Sequence, residues 1–276
     1  MVHSSAEVFQ TMNFTINREV KQDMKKTLWS FGSVFLIFII WIVASVVIDN
    51  AILLPSPLAT FKAFASLFTT QSGLLAMAMT FTRLIVAIAI ATVLGIGLGV
   101  ASGLNAQTSH FLRPIVTLLR TVPVISIVVI LLILFGFAIT PYLLTFMMIF
   151  PIIYQAIADG IENIDKELID VFKLEDESVW DGIKYCYLPL IERQIRTSFL
   201  QAAGLGIKVL VMAEYLAQTR NSVGNALYLA KVNLEYDKVF AWTLLLIILA
   251  VVIESIIRRF NNLKQPLSHE PNFSRE

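Results

Sequence analysis

A chain of 276 residues that is 57% hydrophobic and only 15% charged has more apolar surface than one soluble core can bury, so a lipid bilayer must be part of its solvent. The formal net charge of +1 gives no support to nucleic-acid binding, for which a basic face is expected to supply most of the affinity. Cys186 is the only cysteine, which excludes an internal disulfide and a thiolate metal cage, and the three histidines lie far apart in polar flanks. The composition predicts an all-α integral membrane protein with no metal site and no catalytic residues.

Apolar runs of about 20 residues, the length that crosses a bilayer, predict about six transmembrane helices. Between Pro123 and Ala158 the chain stays uncharged for long enough to cross twice, with a turn marked by Gly136, Thr140 and Pro141. The predicted spans are 28–48, 84–104, 116–137, 141–158, 197–217 and 239–257, within a transmembrane domain of residues 28–258.

The basic residues predict the orientation, because Lys and Arg accumulate on the cytoplasmic side of membrane proteins. Arg18, Lys21, Lys25 and Lys26 precede the first span, and Asp49 follows it. Six crossings from a cytoplasmic N-terminus place eleven later basic residues inside and five outside. The predicted cytoplasmic parts are the N-terminal segment 1–27, the loop 159–193 and the tail 259–276.

Two segments on the outer side are predicted to be helical without crossing. Leu58, Phe61, Phe64 and Leu67 have helical spacing, which indicates a helix lying along the outer interface. The polar stretch 218–237 is predicted to be a loop with a short helix.

The second predicted span carries Gly95, Gly99 and Gly103 at intervals of four residues, which leaves one helix face as bare backbone. Another helix can approach such a face closely. That helix belongs either to the same chain or to a second subunit.

Two charges, Lys208 and Glu214, lie inside the fifth predicted span, where an unpaired charge is costly. Six residues apart, they point in different directions around a helix and are not expected to neutralise each other. Either they line a hydrated pathway or they pair with groups on other spans. Arg120 and Arg83, at the starts of the third and second spans, are interpreted as interface anchors, and Arg120 is also a candidate for the pathway.

The most polar part of the chain separates the fourth and fifth spans. Its apolar residues recur at helical spacing, at Ile164, Leu168, Val171 and Phe172, which predicts an amphipathic helix. Ser178 is a candidate N-cap of a second short helix, and Pro189 is expected to end that helix at Leu188. The segment is therefore predicted to be a cytoplasmic pair of helices.

This pair of helices is predicted to expose Leu174 and Trp180 beside the acidic turn Glu175-Asp176-Glu177-Ser178. Such a surface suits insertion into a groove on another protein. The alternative is a merely solvated loop, which would have little reason to carry a Trp and a defined apolar stripe.

No phosphate-binding G-x-x-x-x-G-K-[ST] loop, H-E-x-x-H zinc helix or G-x-S-x-G elbow occurs in the chain. The chain is therefore predicted neither to bind nor to hydrolyse nucleotide by itself.

The spacing of Leu174, Ser178, Trp180 and the pair Leu188-Pro189 resembles a known motif, the cytoplasmic EAA loop of permease subunits from bacterial binding-protein-dependent ABC importers. The resemblance extends over nearly the whole chain and is strongest to the nitrate, sulfonate and taurine branch. Further similar positions are Leu54-Pro55-Ser56-Pro57, Arg83, Leu119-Arg120-Thr121-Val122-Pro123, Ala213-Glu214 and Gly224. The chain departs from the motif at Phe172, where Ala is usual, and at Asp176, where Gly is usual. Asp is among the few residues that tolerate a left-handed turn, so the loop is still expected to fold, and the departures concern coupling strength or the choice of ATPase.

The resemblance implies a type I ABC importer permease fold that works by alternating access. The ATPase-docking residues that it implies are Phe172, Leu174, Glu175, Asp176, Glu177, Ser178, Trp180, Gly182, Leu188 and Pro189. The implied partners are two ATP-binding subunits, a second permease subunit, a periplasmic or lipid-anchored solute-binding protein and membrane lipids. The chain itself is expected to bind no cofactor, since ATP and Mg²⁺ would bind the ATPases. The expected solute is a sulfonate-, nitrate- or taurine-type anion or a vitamin precursor, and the expected location is the bacterial inner membrane.

Two other functions fit parts of the sequence. An ion-coupled secondary transporter would use Lys208 and Glu214 as coupling groups, but no inverted repeat relates the two halves of the sequence. A membrane scaffold without transport would leave these two charges unexplained.

Overall fold

The computed structural model describes residues 29, 32–50, 52–165, 167–169 and 179–262, and every regular element in these ranges is helical. The chain divides into two compact units, 1–62 and 63–276, which are considered separately.

In the first unit, α1 is the apolar helix Gly32–Ile48, which lies within the first predicted span. The Trp41 indole N–H donates to the carbonyl of Pro55 (3.2 Å), and the Trp41 ring contacts Phe38 edge-on, with centroids 6.1 Å apart. Helix α2, Pro57–Thr69, begins in this unit and contains the helix predicted from Leu58 to Leu67.

The second unit contains the long helices. They are α3 (Gln71–Leu104), α4 (Ala106–Thr121), α5 (Val124–Glu162), α7 (Glu192–Ala217), α8 (Val223–Val232) and α9 (Tyr236–Asn262). Between α5 and α7 the segment α6 consists of Val179–Asp181, the π-helical Gly182–Tyr187 and Leu188–Leu190. Four helices of the described part, α3, α5, α7 and α9, are long and apolar enough to cross a membrane. The short helix α8 confirms the helix predicted within 218–237.

Helix α5 is interrupted at Gly136, whose φ of 72° and ψ of −179° are not helical. A straight helix of its 39 residues would be about 58 Å long at 1.5 Å per residue, roughly twice the hydrocarbon core of a bilayer. Side chains on the two sides of Gly136 meet in antiparallel order: Arg120 donates to Gln155, and Arg113 pairs with Glu162 at 2.5 Å. The chain therefore doubles back at Gly136, where the turn was predicted.

The boundaries of several predicted spans differ from those of the helices. The predicted third span, 116–137, is not one helix, because α4 ends at Thr121 and the backbone is extended at Val122 and Pro123. Proline lacks an N–H and pushes the preceding residue out of the helical region, which accounts for the break. The predicted second span starts at 84, whereas α3 already begins at Gln71 and includes the polar residues that precede that position.

The prediction that Pro189 ends the second short helix at Leu188 was wrong. Helical structure continues through Leu190 and is interrupted at Ile191. In the preceding π turn the N–H of Leu188 bonds to the carbonyl of Ile183, five residues earlier, and this wider turn accommodates the proline.

The glycines of α3 lie against α5 in the same chain. A Cβ added at Gly95, Gly99 or Gly103 would come within 2.6–2.9 Å of an isoleucine side chain of α5. The Tyr154 hydroxyl donates to Ser102 (2.9 Å) along the same contact. Bare backbone on α3 therefore allows the two helices to pack closely, which corresponds to the intrachain alternative.

We expect Gly99→Ala to destabilise the protein by about 1–3 kcal/mol, the usual cost of overpacking a close contact. The added methyl group would lie 2.9 Å from Ile157 Cβ and 3.0 Å from the carbonyl oxygen of Tyr154. Gly97→Ala is the matched control, since a Cβ at Gly97 meets no atom within 4 Å. Thermal unfolding of both variants in detergent checks the prediction, and equal midpoints would contradict the packing described for this face.

Candidate functional site

A buried ion pair joins α3 to the C-terminal end of α7. Glu214 of α7 is fully buried, and Arg83 of α3 is 5% exposed. One guanidinium nitrogen of Arg83 lies 3.0 Å from Glu214 Oε1, and the Thr80 hydroxyl donates to the same carboxylate at 2.8 Å. Charge and hydrogen bonding together compensate for removing the carboxylate from water.

The same groups hold the turn between α7 and α8. Arg83 also donates to the backbone carbonyls of Arg220 (3.2 Å) and Asn221 (3.3 Å). The backbone N–H of Val223 donates to the Thr80 hydroxyl (3.0 Å), and that of Gly224 donates to Glu214 (3.3 Å). The Glu214 carboxylate and the three groups that contact it, from Thr80, Arg83 and Gly224, are hereafter called the clamp.

Gly224 is required by the closeness of this turn. A Cβ there would lie 2.4 Å from the backbone N of Tyr215 and 2.5 Å from both Glu214 Cβ and the carbonyl oxygen of Val211. Two of these neighbours are backbone atoms, which cannot move aside as a flexible side chain can. The clamp therefore ties α3, α7 and the start of α8 into one body.

The contacts of Glu214 in the clamp favour one of its two interpretations, the pair with another span. Its carboxylate pairs with a group on another helix and is not exposed to a pathway in this structure. Arg83 does not lie at the start of a helix as predicted, because α3 extends twelve residues before it, and its side chain is buried. The sequence identified Arg83 and Glu214 as notable charges but did not predict that they pair. Their opposite charges within apolar segments were the signal that could have indicated the pair.

The structure does not bring the three pathway candidates together. Lys208 lies on the exposed face of α7, and within the described residues no carboxylate forms a salt bridge with it. Arg120 is exposed near the end of α4, where it bonds to Gln155. Lys208 and Glu214 point to different sides of α7, as predicted from their spacing.

The predicted docking loop is described only in part. Six of its residues lie outside the described part of the chain: Phe172, Leu174, Glu175, Asp176, Glu177 and Ser178. Trp180, at the start of α6, is 78% exposed, and Tyr185 is 60% exposed. Gly182 is buried, whereas Pro189 is exposed.

The opposite side of α6 is attached to the core. Ile183, Tyr187 and Leu188 pack against the apolar cluster that α3 and α5 form, and the following Ile191 is buried. Burial raises the pKa of the Tyr187 phenol, with a smaller contribution from Cys186, so the phenol stays neutral. Segment α6 thus links an exposed aromatic surface mechanically to the ends of the long helices.

A cavity of about 610 Å³ lies beside α6, between α4 and the end of α5. The Arg113–Glu162 pair lies on its wall, and Ser109 donates to the same carboxylate (3.0 Å). Among the described residues no group of three His, Cys, Asp or Glu side chains could hold a metal ion.

The chain matches a protein family over more than half of its length and is similar in sequence to two permease proteins. Residues 91–264 match the family described as binding-protein-dependent transport system inner membrane component. The chain is 26% identical over 263 residues to the taurine transport system permease protein TauC of Escherichia coli (strain K12), an alignment that covers 90% of this chain and 95% of TauC. It is 23% identical over 242 residues to the putative aliphatic sulfonates transport permease protein SsuC of Bacillus subtilis (strain 168), which covers 86% of this chain and 87% of SsuC.

A solved structure is similar in fold. The MetNI methionine ABC transporter, in inward-facing conformations, contains a chain that superposes with a TM-score of 0.58 at 15% identity. The superposition covers 68% of this chain and 93% of that chain.

We expect Glu214→Ala to lower the free energy of unfolding by about 3–5 kcal/mol, because it leaves the Arg83 guanidinium buried without its counter-charge. Arg83→Ala should have a similar effect, and the double variant should lose clearly less than the sum of the two. The measurement is a double-mutant cycle from unfolding in detergent.

The control cycle uses Glu235 and Lys238, an ion pair at 2.7 Å whose side chains are both exposed. Each of these substitutions should cost less than about 1 kcal/mol. Additive effects of the Arg83 and Glu214 substitutions would show that the two side chains do not form one unit.

Proposed function

The chain belongs to the family of binding-protein-dependent transport system inner membrane components, and from this premise we propose that it forms half of the translocation path of an importer that works by alternating access. It is the permease subunit of an ABC importer for small solutes and a multi-pass protein of the inner membrane. The family match carries the proposal, since it extends from the middle of α3 to beyond the end of α9.

The proposed coupling surface is the segment around α6. Trp180 is exposed, while Ile183 and Leu188 of the same segment pack on the core of α3 and α5. A force applied by a partner to the exposed side would therefore reach the long helices through packed side chains. This arrangement supports the docking of an ATPase at α6, with the exposed indole inserted into a groove on that subunit.

ABC importers of this family act with ATPase and solute-binding partners. We further propose two ATPase subunits on the cytoplasmic side, one second permease subunit, and a periplasmic or lipid-anchored binding protein that delivers the solute. ATP and Mg²⁺ would bind only the ATPases, and this chain would perform no covalent chemistry. Both termini would be cytoplasmic, in accord with the distribution of basic residues.

The proposed solute is a small organic anion of the sulfonate type. The relatives named for taurine and aliphatic sulfonates align over nearly their whole lengths, which supports this class. Among the pathway candidates, Lys208 is proposed to face the path, and Arg120 could lie at its inner mouth. The burial of Glu214 in the clamp argues against the alternative of ion-coupled transport, which needed that carboxylate as a coupling group.

We expect Trp180→Asp to abolish co-purification of the ATPase and solute-stimulated hydrolysis while leaving expression intact. The substitution places a charge where an apolar side chain would be buried on docking. Pull-down of the tagged chain from detergent extracts, followed by an assay of ATP hydrolysis, measures both effects.

Leu234→Asp is the control. Leu234 is also largely exposed, lies on the proposed outer side between α8 and α9, and has a φ of 59° that suits Asp. This variant should retain the ATPase. Full retention of the ATPase by Trp180→Asp would place the docking surface elsewhere.

A further inference from the structure

One exposed face of α7 carries four polar side chains and the apolar Leu205 between the start of the helix and Lys208. Gln194, Thr197, Gln201 and Lys208 are all exposed and recur at intervals of three, four and seven residues, which places them on one side of the helix. These four residues are called the polar stripe. Toward the outer end the same face continues with the apolar residues Met212 and Leu216.

A face of this composition is unsuited to lipid. Helix α7 is long and apolar enough to cross a membrane, and Lys208 lies about 13 Å from its outer end at 1.5 Å per residue. Intramembrane Lys residues face a water-filled cavity or another part of the protein far more often than hydrocarbon. A Lys alone could extend toward the interface, but the shorter side chain of Gln201, on the same face and about 13 Å from the inner end of α7 at 1.5 Å per residue, cannot reach it.

The inner end of the stripe opens into a polar cavity of about 510 Å³ between α5 and α7. Gln194, Thr197 and Gln201 line it from α7, and Asp159 and Asn163 line it from the end of α5. The cavity shows that the stripe continues into a space large enough for water and a small solute.

The charge of Lys208 is not neutralised within the described residues. It is the only charged residue of α7 between Arg196 and Glu214, and α5 is uncharged from Val124 to Ala158. At the inner end, Arg193 and Asp159 both line the cavity, and their opposite charges offset each other. Glu214 points away and is already paired with Arg83.

We propose that the polar stripe lines the translocation path from the inner end of α7 as far as Lys208 and that Lys208 supplies the positive potential that attracts an anionic solute. This inference rests on the proposed function and adds to it the wall of the path and the residue that favours an anion. A cation in a water-filled, low-dielectric channel concentrates anions and repels cations.

Thiol labelling of the assembled transporter in lipid nanodiscs tests the proposal without knowledge of the solute. In a Cys186→Ser background, Gln201→Cys should react with the anionic reagent 2-sulfonatoethyl methanethiosulfonate and with its cationic trimethylammonium analogue, because the reaction requires water. Val93→Cys is the matched control, since Val93 is a largely exposed apolar residue in the middle of α3, and it should react at least tenfold more slowly.

Lys208 lies about 10 Å along the helix from position 201, within the range of weakly screened electrostatics. In the Gln201→Cys protein, the ratio of anionic to cationic labelling rates should therefore fall several-fold with Lys208→Gln and be kept with Lys208→Arg.

Three results would overturn the proposal or part of it. Labelling of Gln201→Cys as slow as that of Val93→Cys would exclude an aqueous face, and cross-linking of two thiols at position 201 in place of labelling would assign the face to a subunit contact. A labelling ratio unchanged by Lys208→Gln would remove the role of Lys208. Because the labelled complex contains the ATPase, ATP hydrolysis by the same sample separates these failures from a failure of the proposed function.

Discussion

The described fold depends on the burial of one ion pair, Arg83 with Glu214. Two opposite charges inside apolar helices are tolerated when they pair with each other and when most of their other polar atoms are hydrogen-bonded; in this pair Arg83 Nε is buried without a hydrogen-bond partner. Here that requirement joins α3 to α7, which are far apart in sequence, and recruits Thr80 and the backbone of the turn before α8. Gly224 follows from the same constraint, since only a residue without a side chain lets the turn approach the carboxylate. The clamp thus fixes the end of the bundle where α7 meets α8.

The end of the bundle that carries α6 has the opposite character. There α6 packs one side on the α3–α5 core and leaves Trp180 and Tyr185 exposed, and the ends of α5 and α7 line a cavity of about 510 Å³. The bundle is thus tied together at one end and exposes aromatic side chains at the other. This arrangement suits the coupling that we propose, in which a partner at α6 moves the long helices as rigid bodies.

Periodicity and composition predicted much of this fold. Apolar runs predicted the membrane-crossing helices. The turn at Gly136 was predicted because this glycine, together with Thr140 and Pro141, interrupts an otherwise uniform apolar run. Helix boundaries were predicted less well. Arg83 was assigned to the end of a span because a lone Arg in a sequence suggests an interface, and only the three-dimensional pairing with Glu214 explains why α3 continues past it. The π turn before Pro189 was also beyond prediction, since the rule that proline ends a helix assumes ordinary α-helical hydrogen bonding.

The residues of the candidate site were predicted only in part, because a sequence identifies charged residues but not their partners. Lys208 and Glu214 were identified from their charge alone, but charge does not reveal which side of a helix faces a partner. Their spacing of six residues correctly predicted that the two side chains point to different sides of α7. The structure then shows that Glu214 is buried in the clamp and that Lys208 is exposed. The polar stripe was not predicted, because Gln and Thr are uncharged and common in helices. Only the structure shows that these residues share one exposed face with Lys208.

The central claim, that the clamp holds the α7–α8 turn against α3, is tested most directly by amide hydrogen exchange in the intact transporter. The N–H groups of Val223 and Gly224 donate to Thr80 and Glu214 inside the clamp, so a peptide covering residues 219–226 should exchange slowly in the wild-type protein. In Glu214→Ala the same peptide should exchange much faster, while peptides from the middle of α5 should keep their rates. Equal exchange of residues 219–226 in both proteins would contradict the claim that the ion pair holds this end of the molecule together.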